Sequence, residues 1–424
     1  MNRRNFIRTS GAAGSLIALS PLISCSHTDD HGTSTGSAVN TIDPTIVSSL
    51  KVRVKPITSE ERATRIAKAR ELMEQNKIDA VLMEGGTSLE YFSSVKWGRS
   101  ERLFAMVLTL KDIFYISPKF EESRAKEQTG NANVFCWEEN ESPYELIKTV
   151  LKDLHLNAST IGIEETTRYF VTENIRKIIP ELIIVSADPV TAGCRSIKTQ
   201  TEIDLMQIAN EMTAEVFKAA VKELKVGMTQ AEYGQIITRL HADFGVGGGA
   251  LVLFGESSAL PHGTVNEVKL KEGDVVLMDG GCSVEGYESD ITRMWCFGKP
   301  SDKMKKNLEF VRKAQDAGLK AAKPGVEAWT VDAAARQVII DAGYGPGYKF
   351  FSHRLGHGIG MAGHEWHYLV GGNKHILKTG NMFSNEPGIY IKGEFGIRLE
   401  DEMLITENGA RLLLKQQDSF EKMF

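Results

Sequence analysis

The stretch "GDVVLMDGGCSVEGYESDITRMW", residues 273–295, decides how the chain is read. Two apolar runs, "VVLM" and "ITRMW", flank a polar middle. That is the pattern of a β-hairpin, with "SVEG" near its turn. Asp279 closes the first run and Asp290 opens the second. Placed opposite one another, they centre the hairpin between Val284 and Glu285, and both carboxylates leave the same face of the pair. Directly opposed like charges destabilise a ladder. A carboxylate behind an unbroken apolar run is also a costly place for a charge. A cation between the two, most simply a metal ion, removes both conflicts. Aspartates in ordinary loops at strand ends are the plainer explanation, and the rest of the chain decides between them.

Further downstream, "SHRLGHGIGMAGHEWHYLV" (352–370) carries His353, His357, His364 and His367, out of 10 histidines in the chain. His353 and His357 share a face on a strand or on a helix. Gly356, Gly358 and Gly360 argue against the helix and permit close backbone approach. "HEWH" falls one residue short of H-E-x-x-H, because Tyr368 occupies the fifth place, so a helical zinc-protease motif is excluded. "FSNEPGIY" (383–390) puts Glu386 in a strand-like run before a proline, which suits a strand end or edge. "GIRLEDEMLIT" (396–406) puts Glu400 in another apolar strand pattern, with Arg398 two residues away on the same face. Acids in such surroundings need partners.

The 424-residue chain is long enough for two or three domains, and its net charge of -5 gives no basic footprint for nucleic acid. The first 25 residues read as an address. "NRRNFIR" precedes the charge-free run "GAAGSLIALSPLIS", as in a twin-arginine export signal, and the run is too short to span a bilayer comfortably. It ends in "LISC", which resembles a bacterial lipobox and implies lipidation of Cys25. Export by the twin-arginine route, to a membrane-anchored position facing the periplasm or the cell exterior, is the expected localisation. Residues 26–55 open with a polar, small-residue tract and are expected to form a flexible tether. His27 and His31 lie in it and are read as solvated. Cys136, Cys194, Cys282 and Cys296 match no zinc spacing and are expected to be mostly buried thiols.

Alternating strand-like and helical runs over 56–195 predict a smaller α/β domain. It starts with a capping box at Thr58 and Glu61 and a helical apolar face of Ile66, Ala69 and Met73. Residues 196–424 form the second region. There Gly227 and Gly245 bracket one helical stretch, and Gly325 and Gly343 bracket another of equal length. This hints at two similar halves. "GVGGGALVLFG" (245–255) lacks the Lys-Ser or Lys-Thr of a phosphate loop and is expected to be a flexible loop.

Together "LPHG", "DGG" with "SDITR", "GHGIG", "GHE", "NEPGIY" and "RLED", in this order and spacing, make 196–424 resemble the pita-bread metallopeptidases. These include methionine aminopeptidase, aminopeptidase P, prolidase and their relative creatinase. The region before it resembles the creatinase-like N-terminal domain of the proline-specific branch. The implied fold class is α+β, a pita-bread catalytic domain preceded by a smaller α/β creatinase-like domain. The resemblance makes Asp279, Asp290, His357, Glu386 and Glu400 ligands of two divalent metal ions, with Asp290 and Glu400 bridging or touching both. Creatinase lacks this set. Manganese is favoured by the oxygen-rich shell, with cobalt or zinc as alternatives.

His262, His353 and His364 match substrate-facing positions, with His262 and His364 also contacting the tetrahedral intermediate. Glu386 would pass a proton to the leaving amine, and Arg398 would orient a ligand carboxylate. His367 departs from the family, whose proline-specific members usually carry Pro there. The implied activity is hydrolysis of Xaa-Pro bonds in small peptides, as dipeptidase or aminopeptidase, by a metal-bridging hydroxide. Two other readings stand beside it: a metal-dependent hydrolase or lyase of a small non-peptide metabolite, and a catalytically inactive binding module. Family members are often dimers, so a homodimer is an expectation, although no interface is legible.

Overall fold

A computed structural model describes residues 41–130 and 132–424. The hairpin forms, in a register two residues from the one expected. Val275–Val284 pairs with Ile291–Cys296 so that Asp279 faces Thr292, and Ser283 faces Glu288 nearer the tip. The turn residues are Glu285 (φ 51°) and Gly286 (φ 83°). Two left-handed residues in succession make the tight connection whose twist matches paired strands. Asp290 therefore lies diagonal to Asp279 rather than opposite. The carboxylates keep one face while the direct like-charge opposition is avoided.

Ahead of the hairpin lies a six-stranded mixed sheet. Its order is Asn133–Trp137, Ile113–Pro118, Ala105–Thr109, Ala80–Glu84, Thr160–Ile163, Ile183–Ser186. Side chains alternate across it as strand geometry requires. Val81 and Met83 pack under the helices Ser59–Asn76, Thr87–Ser93 and Asp188–Arg195. Ala80 and Leu82 pack under Pro143–Asp153 and Tyr169–Ile178 on the other face. This is the α/β layer arrangement read from the sequence. The helix Asp188–Arg195 then hands the chain to Gln200–Ala220, whose start is fixed by a capping box of Thr199 and Glu202.

In the catalytic region helices and antiparallel sheets repeat. The pair Gln200–Ala220 and Gln230–Asp243 leads into the sheet of Gly248–Phe254, Val275–Val284 and Ile291–Cys296. A second pair, Asp302–Ala321 and Ala328–Ile339, leads into a five-stranded sheet. That sheet runs Glu365–Leu369, Gly356–Gly358, Met382–Asn385, Asp401–Thr406, Gly409–Leu412, beside the hairpin of Gly388–Ile391 and Phe395–Arg398. The bracketing glycines adopt matching left-handed conformations, Gly227 with Gly325 (φ 82° and 86°) and Gly245 with Gly343 (φ 71° and 90°). The two sheets meet at a single antiparallel bridge between Thr292 and Glu400, closed by backbone hydrogen bonds of 3.3 and 3.2 Å.

Two expectations are corrected. The tether does not extend to residue 55, because Pro44–Lys51 is a helix, N-capped by Asp43, with proline in its first turn. Ile42 and Leu50 are buried in the cluster that contains Met206, Met212 and Phe244, and the Ile42 N–H donates to Asp243 at 2.9 Å. The signal, Cys25, His27 and His31 lie outside the described residues. The glycine-rich run is not a loop throughout either, since Gly248–Phe254 is a strand. A Cβ on Gly248 would lie 2.6 Å from the His241 ring and 2.8 Å from Cys282, so this glycine serves close packing. Among the described residues no helix is long and apolar enough to cross a membrane.

Leu50→Ala tests the first correction. A packed helix predicts a loss of about 2–4 kcal/mol in denaturant unfolding; a free tether predicts no change.

Candidate metal centre

The hairpin, the short strand Gly356–Gly358 and the Glu400 bridge converge on one cavity of about 370 Å³. Its walls carry every residue singled out from the sequence for the site: His262, Asp279, Asp290, His353, His357, His364, Glu386, Arg398 and Glu400. Ligand atoms of Asp279, Asp290 and Glu400 lie within 4.8 Å of one another, and so do those of His357, Glu386 and Glu400. Glu400 belongs to both sets. A third set within the same limit joins Asp290 and His357 to His364.

Each donor is held by its local backbone. A Cβ on Gly356 would meet the Ser384 carbonyl oxygen at 2.0 Å, and one on Gly358 would meet that of Trp366 at the same distance. Glycine on both sides of His357 therefore lets its strand close against its neighbours. The His357 ring donates Nδ1–H to the Gly358 carbonyl at 3.0 Å, which leaves the Nε2 lone pair for a ligand. That Nε2 lies 3.4 Å from Glu386 and 3.9 Å from Asp290. Burial pulls the His357 pKa down to about 3 and keeps the ring neutral. Glu386 follows the strand Met382–Asn385, its N–H bound to the Leu355 carbonyl at 2.9 Å and one carboxylate oxygen accepting from Ser384 Oγ at 3.2 Å. Glu400 Oε2 accepts from Thr292 Oγ1 at 2.7 Å. The Asp290 N–H donates to Glu402 at 2.9 Å.

Charge is out of balance in this cavity. Burial, then repulsion from Asp279 and Glu386, pushes Asp290 well above the carboxylate range. Burial, then Asp290 and Glu386, does the same to Glu400. Burial pushes Glu386 up to about 8 even with Arg398 opposing. Asp279 differs: burial raises it, but the charge and hydrogen bond of Arg398 outweigh that and hold it low. Two guanidiniums, Arg398 and Arg354, thus share a cavity with four carboxylates, and only Arg398 pairs with one of them. Arg398 is itself engaged with Asp279, the Tyr390 hydroxyl (2.8 Å), the Pro261 carbonyl (3.2 Å) and Thr292 Oγ1 (3.3 Å). Convergent oxygens, the free Nε2 of His357 and an excess of negative charge fit divalent cations.

The histidines separate by environment. His364 is exposed and stacks on His357 with ring centroids 3.8 Å apart. His353 lines the cavity, but both its nitrogens are engaged, with the Tyr390 hydroxyl and the Arg354 carbonyl at 2.8 Å each. His367 lies in the strand Glu365–Leu369, stacked on His375 and away from the cavity wall. Sequence reading missed Tyr390, Thr292, Ser384 and Arg354. Tyr390 was the most accessible of these, because a tyrosine inside an apolar strand needs a partner for its hydroxyl.

The fold and this cavity define a peptidase, and the chain belongs to metallopeptidase family M24. The model of that family matches residues 204–407, and the model of the creatinase/prolidase N-terminal domain matches residues 65–197. The chain is 34% identical over 358 residues to the Xaa-Pro dipeptidase of Pyrococcus furiosus, covering 83% of this chain and 98% of that protein. Among solved structures, the dipeptidase PepE of Mycobacterium ulcerans superposes with a TM-score of 0.80 at 30% identity, covering 86% of this chain and 98% of the other. The X-Pro aminopeptidase of Thermotoga maritima gives a TM-score of 0.71 at 29% identity, covering 82% and 99%.

Asp290→Asn removes one of the repelling carboxylates. The metal-free variant should melt higher than metal-free wild type, and the rise in Tm that divalent cations give wild type should shrink or vanish. Thermal melts with and without added metal read both. An unchanged metal-induced rise in the variant would show that Asp290 is not a ligand.

Proposed function

We propose that this protein is a dinuclear-metal exopeptidase that hydrolyses Xaa-Pro bonds in small peptides. The observation that supports the reading is the pair of ligand sets sharing Glu400, as two neighbouring cations would require. The named activities of the relatives supply the substrate class. Asp279, Asp290 and Glu400 would hold one ion, and His357, Glu386 and Glu400 the other, with Asp290 near enough to His357 to reach both. Manganese suits the oxygen-rich set, with cobalt and zinc as alternatives. Divalent ions there supply an activated water and polarise the scissile carbonyl.

The chain's own residues do the remaining work. His364 and His262 stand on the cavity wall and donate hydrogen bonds to the carbonyl oxygen as negative charge develops on it. Glu386 carries a proton to the proline nitrogen as the bond breaks. Arg398 holds Asp279 in position through Nη2 and ties it to Tyr390 and, through that hydroxyl, to His353. His353 then shapes the pocket by fixing Tyr390.

For localisation, the same proposal places the protein outside the cytoplasm, exported by the twin-arginine route and held at the membrane by lipid on Cys25. Detergent phase partition of the expressed full chain should move from the detergent to the aqueous phase on Cys25→Ala; wild type found in the aqueous phase would refute the anchor.

The activity test is a peptide panel with metal added back: Ala-Pro, Gly-Pro and a longer Gly-Pro-led peptide, with elemental analysis of the same sample. The expected result is about two divalent ions per chain and turnover of at least one Xaa-Pro peptide. Turnover of the dipeptides alone marks a dipeptidase, and of the longer peptide an aminopeptidase. Bound metal without turnover of any would point to a small non-peptide metabolite as substrate.

A further inference from the structure

His364 has little side-chain support of its own. It is exposed, and its contacts are the stack on His357 and a 3.2 Å approach of Arg354 to Nδ1. Its position is therefore set by the backbone of the loop between Gly358 and Glu365. That loop is tied down by its neighbour, Glu365. One oxygen of the buried Glu365 carboxylate accepts from the N–H groups of Met361 (3.0 Å) and Ala362 (3.1 Å). The same oxygen is paired with Arg195, and the other accepts from Lys198 Nζ at 2.9 Å. A Cβ on Gly360 would meet Glu365 at 2.8 Å and Lys198 Nζ at 2.9 Å, so the loop closes tightly around this ion cluster.

Both cations come from the end of the N-terminal region. Arg195 is the last residue of the helix Asp188–Arg195, and Lys198 lies three residues on, its Nζ also bound to the Arg195 carbonyl at 2.8 Å. Arg195 Nη1 donates to Ser88 Oγ at 3.0 Å, and Ser88 Oγ donates to Glu164 at 3.0 Å, at the end of the strand Thr160–Ile163. Arg195, Lys198, Glu365, Ser88 and Glu164 are all buried. Apolar residues of similar size often stabilise such a site better than a buried ion cluster does. The directional bonds to the loop are what apolar packing would not supply.

We propose that Arg195 and Lys198 are positioning residues for the reaction: acting through Glu365, they hold the loop so that His364 meets the substrate. The N-terminal region is then part of the catalytic apparatus, linked to it by Ser88 and Arg195. The proposal rests on the Xaa-Pro reading for its assay and on the placement of His364 in the site.

A double-mutant cycle tests it. Arg195→Met in metal-loaded protein should lower kcat on the order of 10-fold to 100-fold, the scale of a misplaced catalytic group, with metal content unchanged. Arg195→Lys should recover part of the loss. In a His364→Ala background Arg195→Met should cost little more, because the histidine it positions is gone. The same factor lost in both backgrounds, or wild-type kcat in Arg195→Met, would overturn the proposal. Ser88→Ala, which leaves the cluster around Glu365 in place, should lower kcat several-fold at unchanged KM; if Arg195→Met does not fold, this variant decides, and wild-type kcat in it refutes the link. Should wild type cleave no Xaa-Pro peptide, the Xaa-Pro reading fails separately. The positioning is then read from the rate of His364 modification by diethyl pyrocarbonate, which should change in Arg195→Met and Ser88→Ala, and an unchanged rate refutes it.

Discussion

Four carboxylates gathered around one cavity, Glu400 buried and Asp279, Asp290 and Glu386 partly buried, are the constraint on which the rest of this structure depends. Asp279, Asp290, Glu386 and Glu400 arrive from a hairpin, a strand end and a bridge, and against their four charges the cavity wall sets two guanidiniums, Arg398 engaged with Asp279 and Arg354 turned to His364. Burial first, and like-charge repulsion after it, favour the protonated forms, which is why Asp290, Glu386 and Glu400 are pushed upward. A fold that brings them together loses stability unless a cation enters. Metal binding and folding are then coupled, and the site is built to be occupied.

The protein keeps these acids in place by fixing their oxygens one at a time. Thr292 takes Glu400, Ser384 takes Glu386 and Arg398 takes Asp279. The residues flanking Glu400 in the "RLEDE" run extend the scheme outward. Asp401 pairs with the fully buried Arg293 at 2.6 Å. Glu402 accepts from Asn210 at 2.8 Å and from the backbone of Asp290. Asn210 lies on the helix Gln200–Ala220, so the first helix of the catalytic region is connected to a candidate ligand through one carboxylate. This layer restricts rotation of the donors, and a site with fixed donors needs less reorganisation on binding metal.

How far the sequence alone could go follows from what each signal reports. Period-two alternation reports a face, and it put Asp279 and Asp290 on one face. It does not report register, which here is set by the left-handed pair Glu285 and Gly286 and falls two residues from the symmetric guess. The helix Pro44–Lys51 was legible in Asp43-Pro44, a cap followed by a first-turn proline, and was hidden by the polar tract before it. The cavity residues were legible through spacing and resemblance. Their supporting partners were not, because Thr292 meets Glu400 and Arg195 meets Glu365 across more than a hundred residues of chain, where no local pattern reaches.

That separation in sequence also bears on why the two regions are joined. The helix Asp188–Arg195 packs on the mixed sheet through Val190 and Cys194, and its last residue reaches the loop beside His364. The orientation of that loop therefore depends on packing in the N-terminal sheet, through a helix end that cannot shift without uncovering apolar side chains. Lys198 adds a second fixed point, since its own N–H is bound to the Gly380 carbonyl at 2.8 Å, just ahead of the strand that leads to Glu386. One short segment, Arg195 to Lys198, thus touches the mounts of both a cavity-wall histidine and a candidate ligand. A rotation of the N-terminal sheet would disturb both mounts through that segment, whereas independent mounts would let metal and histidine drift apart.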